Sequence, residues 1–380
     1  MNFATLALIC AVAILGPVMS LQRWSLPVVL GELLVGLVFG ATGLGVLQAD
    51  DPTFPFLAQI GFALIMFVTG THIPLRSPDL RAGLRRGSLR ALAVGALAVP
   101  AGLGIAAVFG TGHGWLYAIL IASSSAALVI PALNGLPLTA PSIVAMLPQI
   151  AIADTACIVL LPLAIDPAHA PRAGLGAAAV LAAAVPVYLF LRWAQRSGVR
   201  RRIHNLSEER GLALELRVAL TLLFGLAAVA AFARVSVMLA GFVLGLVVAA
   251  VGEPRRLAHQ LFALTEGFFG PVFFVWLGAS LNLVKVLERP EAIVLGLALG
   301  AGAGAAHASM ALTGQPFPVA VATAGQLGVP VAAATLGTTL GLLGPAEDAA
   351  LLLGALVTIG LLAVVNRPLA RIAGAGPAPP

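Results

Sequence analysis

The sequence predicts an all-α membrane protein of about 13 transmembrane helices, arranged as two inverted six-helix repeats with two broken helices crossing near mid-membrane. Three observations carry that prediction. Of 380 residues, 60% are hydrophobic and only 9% charged, with a mean hydropathy of +1.04, which is not the composition of a water-soluble domain. Apolar runs of about 20 residues, the length that crosses a bilayer as a helix, recur along the chain. Two of these runs are interrupted in mid-span by Pro, Gly or Ser.

The spans fall at roughly 3–21, 26–46, 56–74, 89–110, 115–135, 141–165, 173–193, 212–232, 235–252, 258–284, 291–313, 316–343 and 346–366. The first lacks a basic leader and a small-x-small cleavage site, and another span follows at once, so it reads as a membrane helix rather than a signal peptide. No stretch is long or polar enough for a soluble domain. The chain reads as a single membrane domain with a first repeat (1–165), a linker helix (173–193), an inverted second repeat (212–366) and a short cytoplasmic tail (367–380), expected to be disordered.

The basic residues orient the spans. With the N-terminus outside, Arg172, Arg234, Lys285 and Arg289 fall on the outer side, and the other 17 of the 21 Lys and Arg fall on the inner side. That asymmetry predicts an inner-membrane protein with its N-terminus outside and its C-terminus in the cytoplasm. It also gives the net charge of +6 a topological meaning, so nucleic acid is not an expected partner. Cys10 and Cys157 lie inside spans and read as free, small apolar residues.

The fifth span, YAILIASSSAALVIPALNGL, carries Ser123, Ser124, Ser125 and Pro131; the twelfth, PFPVAVATAGQLGVPVAAATLGTTLGLL, carries Gly325, Gly328, Pro330 and Gly337. Pro removes a helical hydrogen bond and Gly weakens a helix, so both spans are candidate breaks; a bent packing helix is the plainer alternative. If the seventh span links two six-helix halves, the broken spans occupy equivalent places. An odd number of helices between the halves inverts one against the other. Paired interrupted helices in corresponding positions point to a transporter's binding site.

Asp154, in IAIADTACIVLL, sits in mid-span on the helix that follows the first break. An intramembrane carboxylate is costly and marks a functional site by default. It can hold a proton or a small monovalent cation, but not both, and that competition couples two opposing fluxes. Ser123, Ser124, Ser125, Thr155 and Gln149 offer the oxygens that replace a cation's hydration shell. For any one serine, helix packing is an equal alternative, and Asp154 could instead satisfy backbone at the break. Glu32 and Glu266 are further ionisable groups, with an interfacial or structural reading beside a functional one. His307 is the only ionisable side chain deep in the eleventh span, where a lone histidine is more often structural. There is no HExxH, GxSxG, P-loop or CxxC, so no enzyme, cofactor or resident metal is expected.

With these residues in place, LPVVLGELLVGLVFG (26–40) resembles the Pro-then-GELLxGxxxG stretch of the monovalent cation:proton antiporters, which include sodium/proton exchangers and Kef-type potassium systems. GFALIMFVTGTHI is similar to that family's third helix, ASSSAALVIPAL to its first broken helix and IADTACIVLLPL to its aspartate helix. LAGFVLGLVVA followed by FFGPVFFVWLGASLNL resembles its LGAFLAG and FFVxxG pair. The matches keep the family's order over nearly the whole chain. The resemblance implies thirteen helices in two inverted repeats, a dimerisation domain and a mobile core, homodimers, elevator-like movement, and Asp154 as the ion-carrying aspartate. The chain departs from the pattern at Ala153, at Gly70-Thr71-His72, at Leu327-Gly328-Val329, and in the eleventh span, where His307 is the nearest candidate for the family's basic residue. No nucleotide-binding domain is expected after the helices.

The leading reading is therefore a secondary antiporter exchanging Na+ or K+ for H+ by alternating access, with proton and cation competing for Asp154. The alternatives are a transport-impaired sensor or subunit of the same fold, which the missing basic residue favours, and an organic-anion symporter, which the absence of a core Lys or Arg disfavours.

Overall fold

The computed structural model describes residues 1–20, 28–71, 78–126, 128–129, 133, 140–210, 212–233, 235–252, 255–281 and 287–374, and every regular element among them is helical. The helices are α1 (Phe3–Ala13), α2 (Leu15–Ser20), α3 (Val28–Phe39), α4 (Thr53–Thr71), α5 (Pro78–Phe109), α6 (Gly114–Ala122), α7 (Pro141–Ile165) and α8 (Ala170–Arg196). They continue with α9 (Val199–Glu209), α10 (Leu214–Phe232), α11 (Val237–Val251), α12 (Arg255–Leu264), α13 (Gly270–Ser280), α14 (Pro290–Ala308), α15 (Phe317–Ala322), α16 (Gly328–Leu340) and α17 (Glu347–Gly374). A π-helical turn, Thr265–Phe269, joins α12 to α13, and 3-10 turns cover Pro167–His169 and Ser309–Thr313. Helices are what apolar runs must form in lipid, because every backbone polar group then finds a partner within its own segment.

Among the described residues, eight helices are long and apolar enough to cross a membrane; the other expected spans fall on shorter helices or on pairs of them. Local chemistry sets many of the ends. Asn2 accepts from the Thr5 amide at 2.9 Å and Ser236 from the Met238 amide at 3.2 Å, both as N-caps. Pro141 stands in the first turn of α7, where its missing N–H costs nothing. One helix was not legible as such. The basic segment between the eighth and tenth helices reads as a loop, yet it folds as α9. Val199, Ile203 and Ser207, four apart, lie on the covered face, while Arg201, Arg202, Glu208 and Glu209 are exposed; that is an amphipathic helix lying against α8 and α10.

The helices form two packed sets. In the first, α4 lies along α11 and α3 along α13. The contact is so close that a Cβ on Gly241 would stand 2.2 Å from the Ala63 carbonyl oxygen and one on Gly245 2.3 Å from that of Phe67, so only glycine fits. The second set is α5, α6, α7, α14, α15, α16 and α17, and it contains both broken segments. Helix α8 packs on α7, α10 and α11 and so touches both sets.

The first segment of the second set is fastened to the last helix. The Glu347 carboxylate accepts hydrogen bonds from Tyr117 Oη at 2.6 Å and from the Gly344 amide at 2.7 Å, and pairs with His113 Nδ1 at 2.7 Å. His113 is the residue just before α6, and the carboxylate beside it raises its pKa above the ordinary 6.5.

Candidate functional site

The fifth span breaks at its serines. Helix α6 ends at Ala122, Ser123 is extended (φ −71°, ψ 152°), and helical backbone resumes at Ala126. The twelfth span breaks between α15 and α16, over Thr323–Leu327. Gly325 lies in that gap, whereas Gly328 and Pro330, also expected at the break, belong to the first turn of α16. Proline is tolerated there because first-turn amides have no helical partner. Pro131 lies outside the described residues.

The two breaks meet and satisfy each other. The Ser125 amide donates to the Gly325 carbonyl at 2.8 Å. Ser124 Oγ donates to the Thr323 carbonyl at 2.6 Å, and Ser123 Oγ to Gln326 Oε1 at 3.1 Å. Backbone that leaves a helix inside a membrane must find such partners or bear the cost of burial. All three serines are buried, and the Ser125 hydroxyl has no hydrogen-bond partner among the described residues.

Asp154, on α7, reaches this junction. It is 2% exposed, and its Oδ2 accepts from the Ala126 amide at 3.1 Å. That amide is one of the free donors where helical backbone restarts, which suits a carboxylate. Asp154 has no cationic partner among the described residues.

Gln149, also on α7 and fully buried, donates from Nε2 to Thr323 Oγ1 at 3.3 Å and accepts at Oε1 from Gln315 Nε2 at 3.1 Å. Thr323 is the hub of the second break. Its hydroxyl donates to Ala320 O at 2.7 Å, so His307 Nδ1, 2.8 Å away, is the donor in their contact. His307 is 1% exposed. The backbone of Ile121 and Ser123, at the end of α6 and the first break, lies beside the ring. The histidine therefore touches both broken segments.

Other expected residues fall elsewhere. Thr155 spends its hydroxyl on Ala151 O of its own helix at 2.6 Å. Glu32 is buried on α3 and Glu266 is exposed in the π-helical turn; both belong to the first set of helices. The sequence reading missed Thr323, Gln326 and Gln315, all buried, and Thr358, whose Oγ1 accepts from the Gln326 amide at 3.2 Å. Thr323 and Gln326 flank Gly325 in TAGQLG, so polar side chains beside a predicted break were the available signal.

The family model described as "Sodium/hydrogen exchanger, transmembrane" matches residues 10–371. The chain is 24% identical over 319 residues to the "Putative Na(+)/H(+) antiporter YjbQ" of Bacillus subtilis, covering 77% of this chain and 50% of that one. It is 29% identical over 289 residues to the glutathione-regulated potassium-efflux system protein KefC of Salmonella newport, covering 73% of this chain and 45% of that one. It thus spans about half the length of these curated relatives. In fold it is similar to the sodium proton antiporter MjNhaP1 of Methanocaldococcus jannaschii, with a TM-score of 0.69 at 17% identity over 98% of each chain.

Proposed function

The chain belongs to the sodium/hydrogen exchanger transmembrane family, and from that premise we propose that it is a secondary antiporter exchanging Na+ or K+ for H+, with the two ions competing for Asp154. The observation that supports this most is a buried carboxylate held by a break amide, at the junction of two broken helices. The ionised carboxylate supplies one negative charge, and the Ser125 hydroxyl, without a hydrogen-bond partner among the described residues, is a nearby oxygen for a cation that has shed water. When the proton binds, that charge disappears and the cation loses its counter-ion. Each form keeps the site neutral, so one cation exchanges for one proton.

For transport, Asp154 must face each side in turn. The second set of helices, which carries both breaks, reads as the moving body, and the glycine-packed set as its support. A cavity of about 180 Å³ lies between the two, lined by Gln59, Phe62, Phe273 and Trp276 on one side and Thr335 and Thr339 of α16 on the other. It marks a seam along which the bodies can slide. Residues 1–165 and 212–366 read as inverted repeats, each contributing one break to the crossing.

The test is proton flux in proteoliposomes, with Na+, K+ and Li+ supplied in turn and the membrane potential clamped. Flux with at least one cation, and an equilibrium cation gradient that does not move with voltage, is the expected result. One uncompensated charge is worth about 2.3 kcal/mol per 100 mV, so a voltage-dependent gradient would refute the one-for-one exchange. No flux with any cation would refute the antiporter.

A further inference from the structure

Apart from the crossing, a second polar site lies where α5 meets the end of α14. Arg86 and Arg90 are four residues apart on one face of α5, and together with Leu89, Ala93, Thr313 and Gly314 they line an open cavity of about 470 Å³. Arg90 Nε donates to Thr313 Oγ1 at 3.2 Å, and that hydroxyl donates to Met310 O at 2.7 Å. The bond anchors the guanidinium at the wall of the cavity. Neither arginine has a carboxylate partner among the described residues. Two like charges four apart on a helix repel, and an anion between them removes that repulsion.

The surroundings select the kind of anion. Chain charge ends at Arg90, and the rest of α5, Ala91–Phe109, carries none, so the cavity stands where the helix enters lipid. Leu89 in its wall, and Leu312 and Phe317, which flank Thr313 and Gly314 in the chain, are 58, 91 and 59% exposed. Arginine forks suit phosphate oxygens, and apolar side chains exposed next to them suit acyl chains. A soluble anion would use the first feature and gain nothing from the second.

We propose that Arg86, Arg90 and Thr313 form a headgroup site for an anionic phospholipid, bound through its phosphate. A lipid there joins α5 to the turn that leads into α15, and hence to the approach to the second break. Binding at this site does not depend on the ion exchange proposed above.

The test is native mass spectrometry of the purified full chain in detergent, titrated with phosphatidylglycerol or phosphatidylcholine, with and without inorganic phosphate. Phosphatidylglycerol should be retained in preference to phosphatidylcholine. Arg86→Gln with Arg90→Gln should weaken its retention about thirtyfold, the worth of two interfacial arginines against an anionic lipid. Arg85→Gln removes one charge from an adjacent exposed position and should leave most retention intact; a loss there equal to that of Arg90→Gln alone would mean diffuse surface attraction and overturn the site. Should the double variant fail to fold, Thr313→Val keeps both charges and releases Arg90, and retention should still fall several-fold. Unchanged retention in the variants, or full displacement by inorganic phosphate, overturns the lipid assignment.

Discussion

The α4–α11 contact and the crossing of the two broken segments are both built from small residues, but they use them in opposite ways. At Gly241 and Gly245 the missing side chain lets one intact helix press on the carbonyls of another. Both helices keep their own hydrogen-bond ladders there. At Ser123–Ser125 and Thr323–Leu327 the regular ladder gives way to i→i−3 turns, and the Ser125 amide reaches the other break instead of its own helix. Small residues in a span therefore do not identify a site by themselves. What separates the two regions is whether polar side chains sit with the small ones, because only they can satisfy a backbone that has left its helix.

The sharpest way to break this comparison is Asp154→Asn. The amide keeps the side chain's shape and can still accept from Ala126, but it cannot exchange a charge. Cation-driven proton flux in proteoliposomes should vanish while the protein elutes as the folded wild type does. Wild-type flux in this variant would show that the crossing is only a structural device.

Gly245→Val probes the other region. Its Cβ would overlap the Phe67 carbonyl, and relief requires two helices to part, at a cost of roughly 3 kcal/mol or more. A large fall in melting temperature in detergent is expected, as is reduced yield; a wild-type melting curve would mean that the contact is looser than it stands here.

Thr323→Val sharpens the contrast within the crossing. It leaves His307 and Gln149 as donors without their shared acceptor, which should cost about 2 kcal/mol. Flux should fall by more than the stability loss alone explains, and Thr323→Ser should restore much of it. If Ser and Val behave alike, the hydroxyl has no role.

The smallest effect concerns the tie between α6 and α17. Because Glu347 raises the pKa of His113, the contact contributes fully below His113's unfolded value, and its contribution is lost as pH rises through the folded one. The melting-temperature gap between wild type and His113→Ala should be widest near about pH 6 and narrow toward about pH 9. A gap that is constant with pH would mean that the pair holds α6 as a neutral hydrogen bond.

The sequence by itself determined the helical class, the approximate span positions and that Asp154 stands buried in a helix, for one physical reason: lipid tolerates neither unpaired backbone nor stray charge, so composition along the chain maps directly onto helices and exceptions. IAIADTACIVLL and the SSS run were exceptions of that kind, and both stand at the crossing. Glu32 and Glu266 were exceptions too, and the same logic could not tell that they belong to the other set of helices. Helix α9 was hidden because its stabilising face is supplied by α8 and α10 and not by its own composition. Only the tertiary structure decided that Thr323 gathers Gln149 and His307, that Thr155 turns its hydroxyl back on its own helix, and that Gly328 and Pro330 start a helix instead of ending one. Those outcomes depend on which atoms lie opposite across a gap of about 3 Å. Hydropathy and spacing carry no information at that distance; packing sets it.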